Sequence, residues 1–177
     1  MPASPLDEYR YDLPDAAATD ALAARFARAV AARRDAAPSP AGDPRRGGLR
    51  VHLSGDLGAG KTAFVRATLR ALGHAGRVRS PTYTLVEPYA LPLAHGTLHV
   101  HHFDLYRFSD PAEWHEAGFD EYIDRDALHL IEWPERADGV LGTPDVLLTL
   151  EIVGEARVLH AQAFTDAGRT CLHAVAC

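Results

Sequence analysis

The chain has 177 residues, of which 47% are hydrophobic and 24% are charged, a balance typical of one globular domain with its own core. Its formal net charge is −6, whereas proteins that hold nucleic acid directly usually carry an excess of positive charge. We therefore expect any contact with nucleic acid to pass through a partner protein. No run of about 18 apolar residues is present, so the sequence predicts no membrane span.

The N-terminal third predicts a strand, a helix and a loop. Residues 9–13 form a strand candidate, and apolar residues at helical spacing predict a helix over 14–34. Acidic residues interrupt any apolar segment near the N-terminus, so we expect a cytoplasmic protein. Residues 35–48 are rich in Pro, Gly and Ala and predict a flexible loop within one domain that spans residues 1–177.

A glycine-rich phosphate-binding motif follows. After an apolar strand at 49–54, the sequence GDLGAGKT matches the pattern G-x-x-x-x-G-K-[ST], and a helix is predicted from 61 to about 72. Glycines let the backbone curl around phosphate oxygens, and the helix N-terminus favours negative charge. Lys61 is the only lysine of the chain, which suggests that arginine cannot replace it there. The predicted nucleotide-binding residues are Gly55, Asp56, Leu57, Gly58, Ala59, Gly60, Lys61, Thr62 and Ala63.

The remaining pattern predicts an α/β protein. We expect strands at 82–86 and 97–103, a turn-rich connection over 88–96, a short helix near Ser109, and a strand at 128–132. Residues 146–153, 157–164 and 170–175 resemble three final strands of an antiparallel meander, the last two within a weakly assigned tail from 154 to 177. Alternating strands and helices around the motif indicate a three-layer P-loop NTPase-like fold with a mixed central sheet.

Two acids that end predicted strands are candidates for a magnesium site. Thr62 would offer its hydroxyl to Mg²⁺, and Asp104 and Glu132 follow strands that should end beside it. One acid could hold the metal while the other polarises the attacking water, and the residues alone do not decide which. His99, His101 and His102 suggest a second metal hypothesis, in which His99 and His101 share one face of a strand, but no nearby Cys or third ligand is evident.

The chain contains no asparagine and no second lysine, so it cannot carry the Asn-Lys-x-Asp element of common GTPases, and ATP becomes the expected nucleotide. Several motifs then stand in a distinctive order: LSGDLGAGKT (53–62), SPTYTLVEPY (80–89), HFDLYR (102–107), GFDEY (118–122) and IEWPER (131–136). In these motifs the chain resembles the bacterial TsaE (YjeE) family, the ATPase component of tRNA threonylcarbamoyladenosine biosynthesis. The resemblance extends from about residue 9 to 153.

The resemblance implies a set of residue roles. Asp104 would lie near Mg²⁺ in the Walker B role, Glu132 would be required for hydrolysis, and Trp133 would sit beside the nucleotide. Ser80 and Thr82 would belong to a switch-like loop.

The resemblance also implies an Mg²⁺-dependent ATPase of low activity alone, acting with a carbamoyl-transferase subunit and its non-catalytic paralogue. The complex modifies adenosine 37 of tRNA, which this chain would contact only indirectly. The alternatives are a small P-loop kinase of a metabolite or nucleoside, although no compact Arg-rich lid is evident, and a module that uses ATP as a structural ligand.

Overall fold

A computed structural model of the chain describes residues 4–36, 48–81, 83–123 and 126–177. In chain order the elements are β1 (Asp7–Leu13), α1 (Ala16–Ala36), β2 (Leu49–Ser54), α2 (Lys61–Ala71), β3 (Val86–Leu93), β4 (Gly96–Asp104), α3 (Glu113–Glu116), α4 (Asp120–Ile123), β5 (Leu128–Glu132), a 3₁₀ helix (Pro134–Ala137), β6 (Val146–Val153), β7 (Ala156–Ala163) and α5 (Asp166–Ala176).

The strands form one seven-stranded sheet in the order β1-β7-β6-β2-β5-β4-β3. Its centre is parallel, because β2 pairs with β5 and β6 in parallel, and β5 pairs with β4 in parallel. The outer pairs, β1 with β7, β7 with β6 and β3 with β4, are antiparallel. In a parallel sheet the carboxyl ends of neighbouring strands lie at one edge, which is where ligands of α/β proteins bind. The ends of β2, β4 and β5 meet there.

Two apolar cores cover the two faces of the sheet. The larger core joins alternate residues of β2, β4, β5, β6 and β7 to helices α1, α2 and α5. The smaller core lies on the opposite face, where Phe103 and Ile131 pack against Trp114, Phe119 and the 3₁₀ helix. This arrangement confirms the predicted α/β fold with a mixed central sheet. Among the described residues, no helix combines the length and apolarity needed to cross a membrane.

The predicted elements between residues 82 and 96 were wrong. Residues 83–85 form a turn rather than a strand, and the stretch predicted as turn-rich forms β3. The error arose because Pro88 and Pro92 read as turn residues. They are tolerated because β3 is an edge strand, where a missing backbone N–H breaks no ladder hydrogen bond.

The last predicted strand, 170–175, is also wrong, because these residues lie in helix α5. The Thr165 side chain accepts a hydrogen bond from the Gly168 N–H at 3.1 Å and caps the helix. Gly168, Cys171, Leu172 and Val175 are buried at helical spacing on one face. Helix α1 extends to Ala36 rather than ending near residue 34. The rest of the predicted flexible loop, 37–47, lies outside the described residues.

Candidate functional site

The glycine-rich motif forms a tight loop between β2 and α2. Gly55 has φ +134° and Gly58 has φ +81°, a region of backbone conformation that favours glycine. A Cβ atom on Gly55 would lie 2.3 Å from the Leu150 carbonyl oxygen of β6, so no larger residue fits there. Residues 55–60 therefore curl closely over the sheet and lead directly into the first turn of α2.

Lys61 is buried at the start of α2, with only 4% of its surface exposed. Its ammonium donates hydrogen bonds to the Gly55 carbonyl and, at 3.0 Å, to the Asp56 carbonyl. The same Nζ lies 3.7 Å from the centroid of the Trp133 ring. Burial lowers the pKa of Lys61, and nearby carboxylates, Glu132 first among them, offset part of that shift.

Glu132 connects the loop to the neighbouring strands. It ends β5, and its Oε2 accepts a hydrogen bond from the Thr62 hydroxyl at 2.9 Å. Its Oε1 lies 2.7 Å from Nε2 of His102, which is fully buried on β4. Glu132 is itself only 2% exposed, so the Glu132–His102 pair is shielded from bulk water, whereas Thr62 is partly exposed. The shielding strengthens the electrostatic interaction within the pair.

Asp104 lies directly beside Glu132, because the two residues are register partners of β4 and β5. The Ser80 hydroxyl donates to Asp104 Oδ2, and the Tyr106 backbone N–H donates to Oδ1 at 3.0 Å. Ser80, which was predicted in a switch loop, therefore contacts one of the two predicted acids. Thr82, the other predicted switch residue, lies outside the described residues.

Trp133 occupies a left-handed backbone conformation with φ 60° between β5 and the 3₁₀ helix. Its backbone N–H donates to the Leu53 carbonyl at 3.2 Å, which connects this junction to the end of β2. Its ring packs on Tyr106 with centroids 4.9 Å apart. The unusual conformation holds the indole over Lys61, so Trp133 forms one wall of the site.

A cavity of about 400 Å³ opens between these groups. Ten of the predicted site residues line it, together with Tyr106: Leu57, Gly58, Gly60, Lys61, Thr62, Ala63, Ser80, Asp104, Glu132 and Trp133. Gly55, Asp56 and Ala59 are not among the residues that line it, but Gly55 and Asp56 accept hydrogen bonds from Lys61 through their carbonyls. The structure thus brings the predicted residues to one place.

The polar groups of the cavity suit phosphate and magnesium. Thr62 offers a hydroxyl oxygen, and Asp104 and Glu132 offer carboxylate oxygens, the ligands that Mg²⁺ prefers.

A separate metal site built from histidines is a different matter. No group of three or more His, Cys, Asp or Glu side chains in the described part of the chain could hold a metal ion. The histidine hypothesis gains no support, since His99 is exposed on β4 whereas His101 is buried.

Sequence reasoning missed three residues that shape the site. His102 was considered only for the histidine metal hypothesis, and its contact with Glu132 was not predicted. Tyr106 contacts Trp133 through a turn that no pattern predicted. Arg157 of β7 donates from Nε to the Ala59 carbonyl and from Nη2 to the Gly58 carbonyl, both at 3.2 Å. It belongs to a part of the chain where no functional residue was expected.

The strand, glycine-rich loop and helix, with a lysine, a threonine and two acids at the carboxyl edge of a parallel sheet, define a P-loop NTPase-like protein. A family model described as "Threonylcarbamoyl adenosine biosynthesis protein TsaE" matches residues 13–160. The chain belongs to the TsaE family, and the resemblance found in its motifs is confirmed.

Individual proteins named TsaE are similar to this chain. A Haemophilus influenzae protein named "tRNA threonylcarbamoyladenosine biosynthesis protein TsaE" is 42% identical over 126 residues, which cover 71% of this chain and 77% of that protein. A Bacillus subtilis protein of the same name is 34% identical over 103 residues, covering 58% and 61%. A crystal structure of Bacillus subtilis YdiB matches with TM-score 0.71 and 23% identity, covering 96% and 95%, and supports the fold alone. None of these matches favours the kinase alternative.

Proposed function

We propose that this chain is an ATP-binding and ATP-hydrolysing subunit required for threonylcarbamoyladenosine modification of tRNA at adenosine 37, acting in the cytoplasm. The observation that supports this proposal most strongly is the hydrogen-bonded chain Thr62–Glu132–His102 beside Lys61 and the glycine-rich loop. The names of the relatives support the pathway. The proposed partners are a carbamoyl-transferase subunit and its non-catalytic paralogue, and contact with tRNA is indirect.

The loop and Lys61 would bind the phosphate chain of ATP. The Gly60 N–H and the first N–H groups of α2 would form an anion-binding concavity at the positive end of the helix, whereas the Ala59 N–H donates to the Asp56 carbonyl at 3.0 Å. The Lys61 ammonium rests on two loop carbonyls and would exchange these contacts for a phosphate oxygen when ATP binds. Its buried position makes that contact stronger than an exposed ion pair would be.

Thr62, Asp104 and Glu132 would hold Mg²⁺, which supplies positive charge that neutralises the phosphate oxygens as the bond to the leaving group breaks. A hydroxyl can ligate a metal through an oxygen lone pair while its hydrogen stays on another acceptor. The Thr62 hydrogen is directed at Glu132, so Glu132 aims the Thr62 lone pair away from itself and into the cavity. Asp104, fixed by Ser80 and Tyr106, supports the same ion from the adjacent strand.

Glu132 is our candidate for orienting the attacking water. Each of its carboxylate oxygens has one hydrogen-bond partner and retains a second lone pair that can accept a water proton. The contacts with Thr62 and His102 restrain both ends of the carboxylate at the wall of the cavity, where a bound water would lie within its hydrogen-bond reach. We propose low activity for the isolated subunit, with the transferase subunits completing the site.

The Glu132→Gln variant tests this assignment, because the amide keeps the shape but is a poor base. We expect calorimetry to show that Mg-ATP still binds, with an affinity reduced by the loss of one carboxylate near Mg²⁺, and phosphate release at saturating Mg-ATP to fall by about 100-fold or more. Glu116→Gln, at an exposed position of α3, is the matched control and should release phosphate at the wild-type rate. Wild-type hydrolysis by Glu132→Gln would remove the proposed role of this carboxylate.

The same variant separates the ATPase from a module that uses ATP only as a structural ligand. A reconstituted modification reaction that proceeds normally with Glu132→Gln would favour the module. Failure of the wild-type protein to bind Mg-ATP would overturn both versions of the proposal.

A further inference from the structure

The hairpin formed by β6 and β7 contacts the glycine-rich loop at two points. On one side, the Leu150 backbone lies so close to Gly55 that a Cβ there would clash. On the other side, the Arg157 guanidinium donates to the carbonyls of Gly58 and Ala59, both at 3.2 Å. The loop is therefore supported by an element far from it in sequence, at both its first residue and its tip.

Arg157 is committed to backbone carbonyls. Besides its two loop contacts, its Nη1 donates to the carbonyls of Ala156 at 2.8 Å and Glu155 at 3.2 Å, at the start of its own strand. Within the described parts of the chain, no carboxylate lies within ion-pair distance of its guanidinium. The rigid guanidinium thus joins the hairpin to the loop and keeps its full charge beside the proposed phosphate site.

The Arg157 contacts also restrain the N–H groups of the loop, because each peptide unit is planar. In a trans peptide the C=O and N–H groups point in opposite directions. A guanidinium that holds the Gly58 and Ala59 carbonyls from one side therefore fixes the direction of the Gly60 N–H on the other. It also restrains the Ala59 N–H, which donates to the Asp56 carbonyl at 3.0 Å and closes the turn of the loop. A cation on a carbonyl also polarises the peptide and makes its N–H a stronger donor.

We propose that Arg157 is a positioning residue of the P-loop, which holds residues 58–60 in the conformation that binds phosphate. The proposal rests on the proposed function, in which this loop binds the phosphates of ATP. A competing role is contact with the base or ribose, because Arg157 also lines a separate cavity of about 260 Å³ with Thr19 and Leu150. The two roles differ in which part of the nucleotide they affect.

The first arm of the test is calorimetric titration with two probes, Mg-ATP and magnesium tripolyphosphate, which lacks base and ribose. Arg157→Ala should weaken binding of both by about tenfold, corresponding to one charged hydrogen bond of about 1.4 kcal/mol. Arg157→Lys keeps the charge but not the fork, and should lose a smaller part of the affinity. Arg169→Ala, on exposed Arg169 of α5, is the control and should bind as the wild type. Weakened ATP binding with unchanged tripolyphosphate binding would overturn the proposal in favour of base contact.

The second arm measures amide hydrogen exchange in the ligand-free protein. Arg157→Ala should accelerate exchange across residues 58–61 while the amides of β2 keep their wild-type protection, which also shows that the variant is folded. Unchanged exchange in the loop would overturn the proposal. The exchange experiment needs no ligand. If the wild-type protein bound neither probe, the proposed function would be refuted. The exchange experiment would still test whether Arg157 fixes the loop conformation.

Discussion

His52 should make the fold sensitive to acid. It lies on β2 with 6% of its surface exposed, and its Nε2 has no hydrogen-bond partner among the described residues. Burial, with a smaller contribution from Arg50, lowers the pKa of His52 from 6.5 to about 3. The folded state therefore keeps this imidazole neutral at a pH where the unfolded chain binds a proton.

Proton linkage gives the direction and magnitude of the effect of His52 on the free energy of unfolding. A group whose pKa is lower in the folded state stabilises the fold fully above its unfolded pKa, and this stability is lost as pH falls. For His52 the loss begins near pH 6.5 and continues down to about 3, the folded pKa. A pH of about 5 lies about 1.5 pH units below the unfolded pKa of His52. Proton binding then stabilises the unfolded chain relative to the folded one by about 2 kcal/mol. Such a loss is a large share of the stability of an ordinary domain.

Urea unfolding of the wild type and His52→Gln at about pH 7 and pH 5 measures this contribution. The wild type should lose about 2 kcal/mol more than the variant on acidification. His95→Gln, at an exposed position, is the matched control and should lose as much as the wild type. Because carboxylates also titrate over this range, only the difference between the proteins counts. Equal losses in wild type and His52→Gln would refute the assignment of a neutral buried histidine.

Two further predictions use side chains as reporters. Burial raises the pKa of Cys171 to about 12, whereas Cys177 is exposed, so a thiol reagent at neutral pH should label one cysteine of the native chain and both only after unfolding. Labelling of Cys171 at the rate of Cys177 would contradict its place in the core. In a Trp114→Phe protein, Trp133 is the only indole, and Mg-ATP should change its fluorescence as the Lys61 ammonium leaves the ring. Lys61→Ala should abolish this change, and an unchanged signal in the parent protein would contradict the proposed movement of Lys61.

The sequence predicts the structure correctly where the local pattern and the tertiary structure agree. The glycine-rich motif forms the loop that its residue types require, and the apolar run before Glu132 forms the buried strand β5. These features are local, since a strand, a turn and a helix N-terminus lie within a few residues of each other. Their local character allowed the fold class and the residues around the cavity to be anticipated.

The wrong strand at 170–175 missed a local signal, because the Thr165 cap and the apolar spacing of α5 lie within one segment. The error at Pro88 and the omitted site residues depend on contacts that are distant in sequence. Whether Pro88 ends a strand or lies within one depends on its being at the edge of the sheet, which only the strand order reveals. Arg157 reaches the loop across 99 positions from Gly58, and no spacing rule predicts that contact. The pairing of His102 with Glu132 similarly requires β4 and β5 to be neighbours.

ATP hydrolysis at this P-loop is proposed to serve a complex with transferase subunits. Phosphate release from ATP by the wild type and by Lys61→Ala, each alone and mixed with the two proposed partner subunits, tests this proposal. We expect slow release by the wild type alone, faster release with the partners, and loss of both with Lys61→Ala. Equal rates with and without partners, or release that survives Lys61→Ala, would contradict it.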